Sequence, residues 1–227
     1  MGYMRVVVVR HHDVDSAGFI GAAFEAKGAE LDVRLFPDDG PLPGPSGFDH
    51  ILVLGAVFSV NDDLEWIADE LAWLREADQA GVPILGICFG AQALSAAFGG
   101  AVERAPRKEI GWVTVDSVDP DLIAPGPWLE FHGDRCLIPP AARVLATNDV
   151  CVQAFTIGRH LAVQFHPEVD GPQLKRWLDN GGDAEAIRIG VNPDDLLTQT
   201  VREEPQAATR AETLVTTALR LAPMPGS

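Results

Sequence analysis

The stretch Val82 to Gly100, V-P-I-L-G-I-C-F-G-A-Q-A-L-S-A-A-F-G-G, constrains this chain more than any other. A short apolar run (Ile84, Leu85, Ile87) stops at Cys88. A helical pattern of small and apolar residues (Ala91, Leu94, Ser95, Phe98) starts at once, and Gly99-Gly100 closes it. Strand, tight turn and helix with a thiol at the apex make the cysteine form of the G-x-S-x-G nucleophile elbow, here Gly86-Ile87-Cys88-Phe89-Gly90. Glycine is expected two residues either side because the backbones crowd there. A thiol at a helix N-terminus meets unpaired N–H groups and the positive end of the macrodipole, which favour the reactive thiolate. Cys88 is therefore a candidate nucleophile, and the Phe89 amide a candidate donor to an oxyanion.

A second signal lies far downstream, in Ala162-Val163-Gln164-Phe165-His166-Pro167-Glu168. Side chains alternate along a strand, so Gln164, His166 and Glu168 are expected on one face, with Val163 and Phe165 on the other. A base and a carboxylate that orients it would then stand side by side. Pro167 has no N–H to continue a central ladder, which places the strand end there, at a sheet rim. Either motif alone is weak; in the order Cys, His, Glu they support each other.

The remainder reads as one α/β domain. Arg5 to Val9 is a continuous β-branched run, as in a strand buried on both faces of a parallel sheet. A helix over about Ser16 to Lys27, a strand over Leu31 to Leu35, a Pro- and Gly-rich loop over residues 37–47 and a strand over His50 to Leu54 follow. Asn61-Asp62-Asp63 is expected to cap a helix carrying Leu64, Ile67, Leu71 and Leu74, with Trp66 and Trp73 as packing residues. This βαβ rhythm predicts a doubly wound, mostly parallel sheet flanked by helices, with sites at the C-terminal ends of its strands.

After Gly100 the rhythm changes to short strands, Ile110 to Val115, Val144 to Ala146, Val150 to Thr156 and His160 to Phe165, which predict an antiparallel β excursion. Glu130-Phe131-His132-Gly133-Asp134 reads as a polar, turn-prone loop; His132 is either a second base or a loop histidine, with the loop favoured. Helices are expected from Gly171-Pro172, from Asn192-Pro193-Asp194-Asp195, and over about Ala207 to Leu221. The domain is predicted to span residues 1–181, and residues 182–227 a helical C-terminal extension packed on it.

Composition removes several function classes. A formal charge of −16 with only 17 basic residues offers no electrostatic footprint for a phosphate backbone, so nucleic acid is not an expected partner. No apolar stretch approaches the roughly 20 residues of a membrane span, and the chain runs into a strand without a signal-peptide pattern; a cytoplasmic location is expected. Three widely spaced cysteines, Cys88, Cys136 and Cys151, argue against a disulfide framework and a zinc site; no metal and no cofactor are expected.

Taken together, Leu85-Gly-Ile-Cys-Phe-Gly-Ala-Gln92, Glu109-Ile-Gly-Trp112, Phe131-His-Gly-Asp134, Gln153-Ala-Phe155 and Gln164-Phe-His-Pro-Glu-Val169 resemble the class I glutamine amidotransferase domain. The likeness is greatest to stand-alone relatives of the amidotransferase half of GMP synthase. It implies a flavodoxin-like sheet and a triad in which Cys88 attacks the side-chain amide of glutamine, His166 relays the proton and Glu168 orients His166. It further implies oxyanion donors at Phe89 and Gly55, and glutamine-binding positions at Gln92, Gly133 and Asp134. Gly55-Ala56-Val57 departs from the Gly-Gly-Pro of many members, and Ala91 stands where many have His. Nothing resembles an ATP-dependent synthetase loop, so an acceptor of the ammonia would require a synthetase subunit in trans. Two other readings fit the same residues, a γ-glutamyl peptidase and a non-catalytic partner-binding domain; the oligomeric state is left open.

Overall fold

The computed structural model describes residues 3–221. In chain order its first half contains β1 (Met4–Arg10), α1 (Gly18–Glu25), β2 (Ala29–Leu35), β3 (His50–Val53), α2 (Glu65–Gln79), β4 (Ile84–Ile87) and α3 (Phe89–Ala97). The second half contains β5 (Ala101–Val113), β6 (Asp116–Ser117), β7 (Trp128–Leu137), β8 (Arg143–Thr147), β9 (Val152–Ile157), β10 (His160–Val163), α4 (Gly171–Trp177), α5 (Asp183–Arg188) and α6 (Pro193–Leu221).

Eight strands form one sheet in the order β2-β1-β3-β4-β10-β9-β8-β6. The first five run parallel, and β9, β8 and β6 extend the sheet antiparallel. The β-branched run of β1 is buried on both faces because helices cover both. Val6 and Val8 pack with Ile20 and Phe24 of α1 and with Ala211, Leu214, Val215 and Ala218 of α6. Val7 and Val9 face Ile67, Leu74 and Ala77 of α2 and Ala93 and Leu94 of α3. This is the doubly wound, mostly parallel sheet that the βαβ rhythm predicts, with the antiparallel excursion added.

Several expectations need correction. The segment Glu130–Asp134 is not a loop: it lies inside the ten-residue strand β7, paired antiparallel with β5 in a separate ribbon. The β5 strand also begins at Ala101, well before the predicted Ile110. Asn61-Asp62-Asp63 does not cap α2; Asp62 instead accepts from the Ser59 N–H, and the helix begins a turn later with Leu64 at its N-cap. The last strand stops at Val163, so His166 and Glu168 stand on the chain just beyond the sheet. The two predicted C-terminal helices are one, α6, which runs through Pro205. Pro205 is exposed, so the carbonyl it leaves unpaired can reach water and the helix continues. Residues 222–227 of the predicted extension lie outside the described residues.

The glycines of the elbow are explained by contact. A Cβ at Gly86 would collide with the Gly90 carbonyl, and one at Gly90 with the Val53 carbonyl of β3. Backbone cannot swing aside as a side chain can. Gly90→Ala is therefore expected to destabilise the protein by about 3 kcal/mol or more, at the top of the overpacking range, measured by urea unfolding against wild type.

Candidate active site

The parallel strands deliver their C-terminal ends to one rim. Past β3 comes Gly55, past β4 comes Cys88, and past β10 comes His166. Cys88 has φ 51° and is the one non-glycine residue with positive φ among those described. It occupies the N-cap of α3; its N–H bonds the Val163 carbonyl at 2.8 Å and its carbonyl accepts from Gln92 N–H at 3.0 Å. Two backbone anchors thus hold a strained turn that a relaxed chain would avoid.

Gly55 has its Cα against both other groups: a Cβ there would meet the His166 ring at 2.8 Å and Cys88 Cβ at 3.6 Å. His166 is 5% exposed, and its Nδ1 lies 2.8 Å from Glu168 Oε1. The base and carboxylate therefore sit side by side as expected from side-chain alternation, although no strand carries them. The chain is steered there by the His166 N–H bonding the Leu129 carbonyl at 2.8 Å, and by Trp177 of α4 standing edge-on to the imidazole at 4.8 Å. His166 Nε2 is buried without a hydrogen-bond partner and lines the same cavity as Cys88. Burial of His166 opposes its charging, but its neighbours Glu168 and Cys88 outweigh it and raise the imidazole pKa well above the ordinary histidine value.

That cavity encloses about 440 Å³. The β5–β7 ribbon forms one wall with Arg104, Lys108, His132, Gly133 and Asp134, and the loop after β3 forms another. Gln92 lines it too, but its Nε2 faces the Asp134 carbonyl at 3.4 Å and Gln164 Oε1 at 3.3 Å. Gly133 lies under the Lys108 and Arg104 side chains. The Asp134 carboxylate is tied to the Ser59 hydroxyl at 2.6 Å and to Arg104 at 3.0 Å.

Sequence reasoning missed a buried charge cluster beside this wall. Glu130, His132 and Asp134 alternate along β7 toward the inside, and Glu109 sits opposite His132 on β5. His132 Nε2 is 3.2 Å from a carboxylate oxygen of both Glu109 and Glu130, and Nδ1 is 2.9 Å from the Asp134 carbonyl. Burial works against a charge on His132, but the two carboxylates more than offset it and push its pKa up to about 10. Burial raises the Glu130 carboxyl above its ordinary value, with His132 acting the other way. The alternation is present in the sequence, but with polar residues on the buried side, the reverse of the pattern that identifies strands.

Glu109, His132 and Cys151 bring potential ligand atoms within 4.8 Å of one another. Their surroundings fit a proton better than a metal. Glu109 already accepts from the side-chain amides of Asn148 and Gln153, and burial pushes the Cys151 thiol far from its thiolate form.

Two outcomes are expected. His132→Leu leaves two buried carboxylates facing each other and should cost about 3–5 kcal/mol in urea unfolding at neutral pH. Because the folded pKa of His132 is raised, its contribution is complete below the ordinary value of 6.5 and is lost as pH rises through about 10; the gap between wild type and His132→Leu should narrow over that window. Glu168→Gln removes the charge next to His166 and should move the imidazole titration downward, read from the His166 Cε1 proton by NMR.

The family model described as glutamine amidotransferase class-I matches residues 22–182. One subunit of the glutamine-hydrolysing GMP synthase of Saccharolobus solfataricus is 32% identical over 148 residues, 61% of this chain and 77% of that protein. The glutamine-hydrolysing GMP synthase of Stenotrophomonas maltophilia is 37% identical over 110 residues, 42% of this chain but only 21% of that longer protein. Among solved structures, a glutamine amidotransferase of Thermotoga maritima superposes with a TM-score of 0.87 at 25% identity, covering 98% of this chain and 100% of that one. A glutamine amidotransferase of Methylobacillus flagellatus gives 0.89 at 22% identity over 100% and 98% of the two chains, a likeness of fold alone.

Proposed function

Because the chain belongs to the class I glutamine amidotransferase family, we propose that it hydrolyses the side-chain amide of glutamine through a thioester on Cys88. The observation that carries this reading is the convergence of Cys88, the unpartnered Nε2 of His166 and the Cα of Gly55 on one cavity, with Glu168 behind the imidazole.

The Cys88 thiolate attacks the amide carbon and the carbonyl oxygen takes the negative charge. The Phe89 amide and the loop at Gly55 meet that charge with fixed dipoles, which costs no reorganisation at the moment of reaction. The tetrahedral species collapses as His166 gives its proton to the departing nitrogen, so ammonia leaves and a γ-glutamyl thioester remains. Water then attacks with His166 taking its proton, and the S–C bond breaks to give glutamate and restore the thiolate. Glu168 holds the ring and its charge throughout. The far end of glutamine carries one charge of each sign, and the cavity wall offers both in Arg104 and Lys108 against Asp15 and Asp134. Gln92 and Gly133 are proposed to shape the same subsite.

The S. solfataricus relative works under the name of a subunit, and the present chain carries no synthetase motif. We therefore extend the proposal to delivery of ammonia to a synthetase partner. A γ-glutamyl peptidase is the second reading, favoured by a cavity that continues from Cys88 past Trp177 to Gly182 and Glu185. Its volume is on the scale of pockets that enclose drug-sized ligands. Glutamate release from γ-glutamyl dipeptides with glutamine untouched would select it.

Cys88→Ala and His166→Ala are each expected to abolish ammonia release, while Glu168→Gln should keep partial activity because it orients rather than reacts. Wild-type protein that neither releases ammonia, alone or with a partner, nor is labelled at Cys88 by a glutamine-like diazoketone overturns the proposal. Undiminished activity in Cys88→Ala would do the same.

A further inference from the structure

We propose that His11, anchored by Glu70, is a positioning residue that aims the loop after β3 at the reacting oxygen; this rests on the hydrolysis read above. His11 follows the C-terminal end of β1, on the same rim as Gly55 and Cys88. Its Nε2 lies 2.9 Å from Glu70 Oε2 of α2, and both side chains are withdrawn from solvent. Its Nδ1 faces the Gly55 carbonyl oxygen at 3.4 Å. The ring stands edge-on to Phe89 at 4.8 Å, and Trp66 covers it at 5.3 Å. One buried imidazole therefore touches both Gly55 and Phe89, which stand on either side of the thiol.

The direction of this tether matters. In a trans peptide the carbonyl of one residue and the N–H of the next point opposite ways. With the Gly55 carbonyl turned toward His11, the Ala56 N–H leaves on the other side, and Ala56 lines the cavity with Cys88. The second oxyanion donor is then the Ala56 amide, one residue beyond the Gly55 that the resemblance implied. Among the described residues no other hydrogen bond reaches the backbone of residues 55–58, and the next anchor is Ser59, bound to Asp62 and Asp134. Glu70 holds Nε2, so the ring cannot turn Nδ1 away from the carbonyl.

The test compares glutamine hydrolysis with alkylation of Cys88 by iodoacetamide. Alkylation forms an S–C bond at a saturated carbon as iodide leaves, and no oxyanion develops. His11→Phe keeps a ring in place but removes the ring nitrogen that faces the Gly55 carbonyl. Its kcat should fall roughly 10- to 100-fold, less than the ~10²–10³ lost when a donor is deleted outright. KM and the alkylation rate should each stay within about threefold of wild type. His11→Asn, whose Nδ2–H can reach the same carbonyl, should recover most of kcat. If His11→Phe does not fold, Glu70→Leu, which leaves the imidazole intact but unanchored, should show the same selective loss of kcat. Unchanged kcat in these variants, or kcat and alkylation falling together, overturns the proposal. Wild-type protein with no hydrolysis at all overturns instead the parent reading, and this one with it.

Discussion

The positive φ at Cys88 is the constraint on which the rest depends. A cysteine pays for that conformation with steric strain, and it persists only because the surroundings leave no alternative. The Cys88 N–H is held by β10, its carbonyl starts the α3 ladder, and Gly86 and Gly90 let two strands and a helix approach within backbone contact. The strained turn sets Cys88 at the N-cap of α3, where the residue lines the cavity. Parallel strands then do what geometry requires of them. Their C-terminal ends lie side by side, so His11, Gly55, Cys88 and His166, spread over most of the chain, come to one rim.

A second theme is buried charge. His166 with Glu168, and His132 with Glu109 and Glu130, place two imidazoles and three carboxyl groups out of water. Such groups are tolerated when each is paired, and removing one partner leaves the other exposed to the full desolvation penalty. The β5–β7 ribbon carries part of that set in this position. It is pinned to the body by Ile110 and Leu129 packing with Leu174, Leu178 and Leu196, so the wall of the cavity rests on a small core of its own.

Legibility in the sequence follows the physics of each element. The β-branched run of β1 and the apolar stripe of α2 announce themselves because burial demands them. The elbow is legible because few sequences place glycine two residues before and after a cysteine between a strand and a helix. Glu130–Asp134 reads wrongly as a loop because its buried side is polar, and the rule that alternation means apolar inside fails where a strand lines a charged site. Asn61–Asp63 reads wrongly as a helix cap because Asp62 serves a turn of the loop after β3 and Asn61 donates instead to the Val102 carbonyl of β5. The C-terminal helix reads as two because it contains Pro205, whose cost is judged in a helix interior, whereas here it sits on the wet side.

The order Cys88, His166, Glu168, the glycine frame of the elbow and the βαβ rhythm are properties of the sequence alone. Each arises from local conformational preference or from the periodicity of burial, both of which act over a few residues. Only the tertiary structure decided that His11 and Glu70 stand behind the Gly55 loop, and that Glu109 meets His132 across a ribbon. It also decided that α6 covers one face of the β1 strand. These contacts join residues tens of positions apart, and no pattern within either segment specifies its partner. They arise because a parallel sheet gathers its strand ends at one rim and its helices on two faces.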